Sequence, residues 1–125
     1  LERIERHCEA TYRNQVAMKL KYGHVLGCPM CTLGAEICTR ESRLQELVQE
    51  SMTQGRKYYE TAIRDAHALG QVNAPDAPRK ARIIFTYMEG LLTQARIQDD
   101  AEVLKEALPG IQTILGIEQA EAAAA

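Results

Sequence analysis

The chain has 125 residues, with 15 Lys and Arg against 17 Asp and Glu, so its formal net charge at pH 7 is −2. This length is typical of one domain, and the 46% of hydrophobic residues can fill a core. A duplex-binding domain would need a basic excess on one face, which this composition does not offer. No apolar run is long enough for a membrane span, so we expect no membrane partner.

The first segment, residues 2–22, has the spacing of a helix with a mixed face. Ile4, Cys8 and Met18 share one stripe with Thr11 and Gln15. Polar groups among aliphatic ones favour either a ligand cavity or side chains that bond neighbouring backbone, and both alternatives stay open here. The glycines and proline of residues 23–29 then break the helix.

The next two segments predict a short helix over residues 30–39 and a long helix over residues 42–69. The long helix carries an uninterrupted apolar stripe and a fully polar opposite face. Ser42 is expected as its N-cap, with Gln45 as the capping-box partner, and Gly70 as its stop. At roughly 40 Å this helix would span a small domain, so it is expected to be the scaffold.

The segment 77–97 is apolar on more than one side, which indicates a helix buried between layers or at a subunit interface. Gly90 in its middle favours close approach to another helix. Asp99 and Glu102 have the spacing of a capping box for a last helix, residues 100–115, which Pro109 should kink. Residues 118–125 are Ala-rich and expected to fray. With no strand pattern anywhere, the fold class predicted is all-α with five helices.

Several features occur in an order that resembles a known family. They are the turn Gly27-Cys28-Pro29, the long helix that ends at Gly70, the stretch that begins at Tyr87-Met-Glu-Gly, and the ending before Pro109. Together they resemble the C-terminal regulatory domain of TetR-family transcriptional repressors, over residues 1–117.

The resemblance implies an effector-sensing homodimer in the cytoplasm. DNA would be bound only through an N-terminal helix-turn-helix domain, which is expected to be missing from this chain. In the family, the last two helices of two subunits form a four-helix bundle. The positions expected at that interface are Ile84, Tyr87, Gly90, Leu91, Leu104, Leu108, Ile111 and Leu115.

Cys28-Pro-Met-Cys31 is the motif with chemistry of its own, because a helix N-terminus stabilises a thiolate. A redox-sensing role for Cys28 and Cys31 competes with plain packing. An alternative function is a helical thiol-dependent redox protein or peroxidase, although the AhpD type places His where Ala35 stands. A zinc site wants four ligands, and no second clear pair follows.

The expected function is therefore sensing of an unknown small molecule by a non-enzymatic domain, without cofactor or metal. The three histidines show no constellation with Ser or Asp partners that would favour nucleophilic catalysis. Adaptable apolar side chains and a few polar groups are expected to converge on the ligand. These residues are Thr11, Tyr12, Gln15, Met52, Tyr59, Phe85 and Met88.

Overall fold

The computed structural model describes residues 1–117, which form five α-helices and one 3-10 helix and contain no strand. The all-α class with five helices is therefore confirmed. The expected fraying of residues 118–125 lies outside the described residues. The elements are α1 (Glu2–Tyr22), α2 (Pro29–Ile37), α3 (Ser42–Ala68), α4 (Ala77–Gln98), the 3-10 helix (Ala101–Glu106) and α5 (Ala107–Leu115).

The pair α3 and α4 makes the most extensive helix contact of the described chain. The buried stripe of α3 includes Tyr59 and Ile63, and that of α4 includes Ile84 and Met88. Both stripes follow spacings of three and four, so each helix turns one continuous face inward. Gly55 allows α3 to come close, since a Cβ there would lie 2.6 Å from Cε2 of Phe85.

The shorter elements complete the core around this pair. α1 packs against the 3-10 helix and α5, with Ile4 and Cys8 buried. α2 lies on α3, where a Cβ on Gly34 would come within 2.7 Å of Val48. α1 ends at Gly23 in the left-handed conformation, φ 85°, a conformation that glycine adopts without a Cβ penalty.

Two predicted caps are wrong. Glu41, not Ser42, has the extended backbone of an N-cap, and no side chain caps α3. Ser42 is already helical, so its hydroxyl is not placed to cap the first turn. At the start of the 3-10 helix, where Asp99 was the predicted cap, the Asp100 carboxylate accepts from Glu102 N–H at 2.9 Å. Asp99 instead ends α4 at φ 53°, and its Oδ1 accepts from Val25 N–H at 2.8 Å.

The predicted single last helix is wrong, because the segment is divided into two elements before Pro109. Residues 101–106 form the 3-10 helix, and α5 begins at Ala107. Pro109 then lies in the first turn of α5, where backbone N–H groups have no partner within the helix. The proline costs little there, and α5 continues past it to Leu115.

None of the helices in residues 1–117 combines the length and the apolar character that crossing a bilayer requires.

Candidate functional site: a cavity between the first, third and fourth helices

A cavity of about 270 Å³ lies between α1, α3 and α4, and the start of α2 forms part of its wall. Most of the wall is apolar or aromatic, and hydroxyl groups, two thiols, one imidazole and one carboxyl group lie among these side chains. Such a composition is typical of small-molecule sites, and the volume is near the lower end of their range. The lining residues are His7, Thr11, Cys28, Met30, Cys31, Ser51, Met52, Gly55, Tyr58, Tyr59, Phe85, Met88, Glu89 and Leu92.

Five of the seven expected ligand residues line this cavity, and the structure brings them together from three helices. They are Thr11, Met52, Tyr59, Phe85 and Met88. The Thr11 hydroxyl donates to the His7 carbonyl at 2.8 Å, so its hydrogen is used within α1 and only its oxygen is left to accept from a ligand. Phe85 and Met88 converge with Met52 because α3 and α4 approach closely at Gly55.

Two expected ligand residues lie elsewhere. The Tyr12 hydroxyl donates to Glu102 Oε1 at 2.6 Å, and the Lys105 ammonium is 5.4 Å from its ring centroid, both outside the cavity. Gln15 is buried, but its amide is bonded twice to the backbone of Gly27. The backbone-bonding alternative therefore holds for Gln15, and Tyr12 joins α1 to the 3-10 helix.

The His7 ring packs against the rings of two tyrosines that also line the cavity. Its ring centroid lies 5.2 Å from that of Tyr58 and 5.4 Å from that of Tyr59. Burial lowers the pKa of His7, because desolvation disfavours the imidazolium, and burial raises the pKa of Tyr59. Both side chains are therefore neutral at pH 7, and this part of the wall carries no charge.

Cys28, Cys31 and Glu89 form the polar part of the wall. Their sulfur and carboxylate atoms all lie within 4.8 Å of one another. Burial raises the pKa of Cys31, and the neighbouring Glu89 carboxylate and Cys28 raise it further. Cys31 is thus held as a thiol at neutral pH, which slows nucleophilic attack by this sulfur.

Sequence reasoning missed several cavity residues, among them His7 and Glu89, although spacing could have found these two. His7 precedes Thr11 by four residues, and Glu89 follows Phe85 by four, so each continues a stripe already assigned to the cavity. Cys38 and His24, which lie near the cysteine motif in sequence, do not line this cavity. Cys38 lines a groove between α2 and α3, and the His24 ring lies 3.2 Å from Asp99.

The expected interface residues are mostly buried within the single chain. Ile84, Leu91, Leu104, Ile111 and Leu115 are each at most 7% exposed. These five side chains stabilise the core of one chain and leave almost no surface for a partner. Tyr87 and Leu108 are half-buried against that core, and Gly90 is exposed with open space above it.

A family profile described as "Tetracyclin repressor-like, C-terminal domain" matches residues 1–111. No curated protein and no solved structure matches the chain.

Proposed function

The chain belongs to the tetracycline repressor-like C-terminal domains, and from this premise we propose that it is the effector-sensing, dimerising domain of a cytoplasmic transcriptional repressor. Its residues 1–117 would form the regulatory unit, and a helix-turn-helix domain preceding them would bind the operator. The observation that carries the proposal is the cavity between α1, α3 and α4.

The wall of this cavity defines the class of effector. Met52, Phe85 and Met88 offer adaptable apolar contacts, and no Lys or Arg of the described chain lines the cavity. An anionic effector would therefore find no counter-charge. We propose a small, largely apolar molecule that is neutral or carries a donor group for Glu89.

Coupling to DNA would follow from the position of the cavity between helices. An effector that touches Thr11 on α1 and Phe85 on α4 binds best at one separation of these helices. If the effector binds one arrangement of α1 and α4 more tightly than another, it increases the population of the arrangement that it prefers. Movement of α1 against α4 would then change the spacing of two DNA-binding domains in a dimer and release the operator.

Dimerisation would use the solvent-facing side of α4 together with α5. Ile83 and Ile97 are 41% and 78% exposed there, and Thr86 and Gly90 lie between them at helical spacing. Exposed aliphatic side chains around a glycine suit close packing of one α4 against its copy. The remaining surfaces of Tyr87 and Leu108 would lie at the margin of this four-helix bundle.

Binding of a neutral naphthylamine dye, N-phenyl-1-naphthylamine, tests the cavity. The dye should gain fluorescence with the native chain and lose most of that gain in Ser51→Trp, whose indole fills the cavity. Thr53→Trp is the matched control, because Thr53 is exposed on the same helix. Equal dye binding by both variants would contradict the proposal. In the full-length regulator, an effector found by such binding should lower operator affinity.

The nearness of Cys28 and Cys31 supports a second candidate, a thiol sensor. Hydrogen peroxide would take two electrons and two protons from the thiols, which form a disulfide, and would be reduced to two waters. Mass spectrometry after mild peroxide treatment should find Cys28 joined to Cys31, with Cys38 still free. Oxidation of Cys38 at the same rate would argue against a dedicated sensor.

A further inference from the structure

Three possible metal ligands converge on the cavity wall from two helices. Cys28 directly precedes α2, Cys31 lies in its first turn, and Glu89 reaches them from α4. The two Sγ atoms and a carboxylate oxygen are mutually within 4.8 Å. The sequence revealed only the cysteine pair, whose spacing is that of many zinc-binding turns, because the third ligand lies 58 positions later in the chain.

The charge in this cluster is not balanced by the described protein. Oε2 of Glu89 is buried and has no hydrogen-bond partner among residues 1–117. No Lys or Arg of these residues lines the cavity, and the His7 imidazole in its wall is neutral at pH 7. Burying a carboxylate without a counter-charge is costly, so a group that brings positive charge to Glu89 would stabilise this wall.

We propose that Cys28, Cys31 and Glu89 bind a thiophilic divalent cation of the Zn²⁺ and Cd²⁺ class, with one coordination position open to the cavity. Zn–S bonds of about 2.3 Å and Zn–O bonds of about 2.1 Å place tetrahedral ligands roughly 3.5–3.8 Å apart. Side-chain adjustments of about 1 Å reach this geometry from the observed separations. Ca²⁺ and Mg²⁺ do not suit the site, because they take oxygen ligands.

Three protein ligands and an open position distinguish this site from a closed structural zinc site. Met52 and Phe85 line the same cavity as the three ligands, so water or a donor atom of an organic effector bound there could complete the coordination. The inference goes beyond the proposed function, because the cation would bind whether or not the chain controls transcription. If the chain is a sensor, the site adds metal ions to the effectors that it can detect.

Anaerobic titration of the reduced, metal-free chain with Cd²⁺ tests the proposal. Ultraviolet thiolate-to-cadmium charge-transfer absorption should saturate at one ion per chain. Cys28→Ser and Cys31→Ser should each weaken binding by at least tenfold, since even groups that only orient ligands change metal affinity by about 10–100-fold. Cys38→Ser is the matched control and should bind as the native chain does, because Cys38 is outside the cluster.

Glu89→Gln tests the third ligand with little change of shape. It should weaken Co²⁺ binding by at least tenfold, and it should change the visible absorption that reports tetrahedral cobalt. Circular dichroism of each metal-free variant establishes that the helices are retained. Should Cys31→Ser fail to fold, Cys28→Ser and Glu89→Gln still decide the question.

The proposal is overturned if Cys38→Ser weakens Cd²⁺ binding as much as Cys31→Ser does, or if the native chain binds no Cd²⁺ under reducing conditions. The proposal is also overturned if all three ligand variants bind Co²⁺ as tightly as the native chain does. These outcomes leave the dye-binding test of the cavity unaffected. Conversely, a chain that binds Cd²⁺ but not the dye retains the metal site and refutes the apolar effector.

Discussion

Gln15 bonds both backbone groups of Gly27: its Oε1 accepts from the Gly27 N–H at 3.0 Å, and its Nε2 donates to the Gly27 carbonyl at 3.1 Å. Both residues are buried. The pair fixes the turn that precedes Cys28, and therefore sets where the wall of the cavity begins. Gly27 itself has φ 68°, and a Cβ there would lie 3.1 Å from the Leu92 carbonyl oxygen.

Replacing Gln15 by Leu should destabilise the chain by about 2–4 kcal/mol, because it leaves the buried Gly27 N–H and carbonyl without partners. Urea unfolding measures this loss. Asn14→Leu is the matched control on the exposed side of α1, with an expected change of at most about 0.5 kcal/mol. Equal stability of the two variants would mean that the double hydrogen bond contributes nothing.

The Tyr87 side chain fills the space that a side chain at position 110 would occupy, so only glycine fits there. A Cβ on Gly110 would lie 2.1 Å from the Tyr87 hydroxyl oxygen, and that hydroxyl donates to the Glu106 carbonyl at 2.8 Å. Gly110→Ala should therefore cost about 1–3 kcal/mol of unfolding free energy by overpacking. The Gly110→Ala, Tyr87→Leu double variant should be more stable than the sum of the two single changes predicts. Strict additivity in thermal or urea unfolding would show that the two residues do not clash.

The stability of the chain should fall as the pH decreases from about 7 to 5, with a contribution from His7. Burial lowers the pKa of His7 from its ordinary 6.5. The unfolded chain takes up a proton as the pH falls through about 6.5, whereas the folded chain does so only at lower pH. The unfolded state thus binds more protons in this window, and protonation favours unfolding.

His7→Asn should flatten the dependence of unfolding free energy on pH in that range. NMR should place the midpoint of the folded His7 titration below 6.5. Asp99 and Glu102, whose pKa values are lowered by their hydrogen-bond partners, contribute stability that is lost only at more acidic pH. A His7 midpoint at or above 6.5 would contradict the assignment.

Gly90→Leu should convert the proposed homodimer to a monomer. Apart from the adjoining part of α4, no atom of residues 1–117 lies within 4 Å of a Cβ at Gly90, so a Leu there does not disturb the core of one chain. If two α4 helices approach each other at this glycine, the added side chain separates them and disrupts an interface expected to exceed about 1,200 Å². Sedimentation at micromolar concentration measures the change.

Arg64→Leu is the control for that experiment, because Arg64 is exposed on α3. It adds the same apolar side chain away from the α4 surface and should leave the dimer unchanged. A monomeric native chain, or a dimer that persists in Gly90→Leu, would remove this surface from the proposal.

The sequence by itself determined the first four helices and five of the fourteen residues that line the cavity. Spacings of three and four are local properties, so the stripes of α3 and α4 predicted which sides face inward. The glycine stop at Gly70 has φ 73°, as the pattern predicted. Because Met52, Phe85 and Met88 lie on inward sides of adjacent helices, their convergence also followed from the pattern.

Only the tertiary structure decided how polar groups on those helices are used. Gln15 faces inward as predicted, yet its amide is bonded to Gly27, and Tyr12 turns out to bond Glu102. Such partners lie far apart in the chain, and periodicity says nothing about them. The exchange of roles between Asp99 and Asp100 has the same cause, since the Val25 N–H that engages Asp99 belongs to a distant turn.

Periodicity also does not predict which apolar residues are buried within one chain, or which residue joins the two cysteines. Apolar positions such as Ile84 and Ile111 suit a subunit interface and a core equally well in a sequence, and packing against α1 and α3 assigns them to the core. Cys28 and Cys31 are neighbours by local spacing, whereas Glu89 joins them only because α4 packs beside the start of α2. Local sequence determines periodicity, but long-range packing determines which side chains share a site.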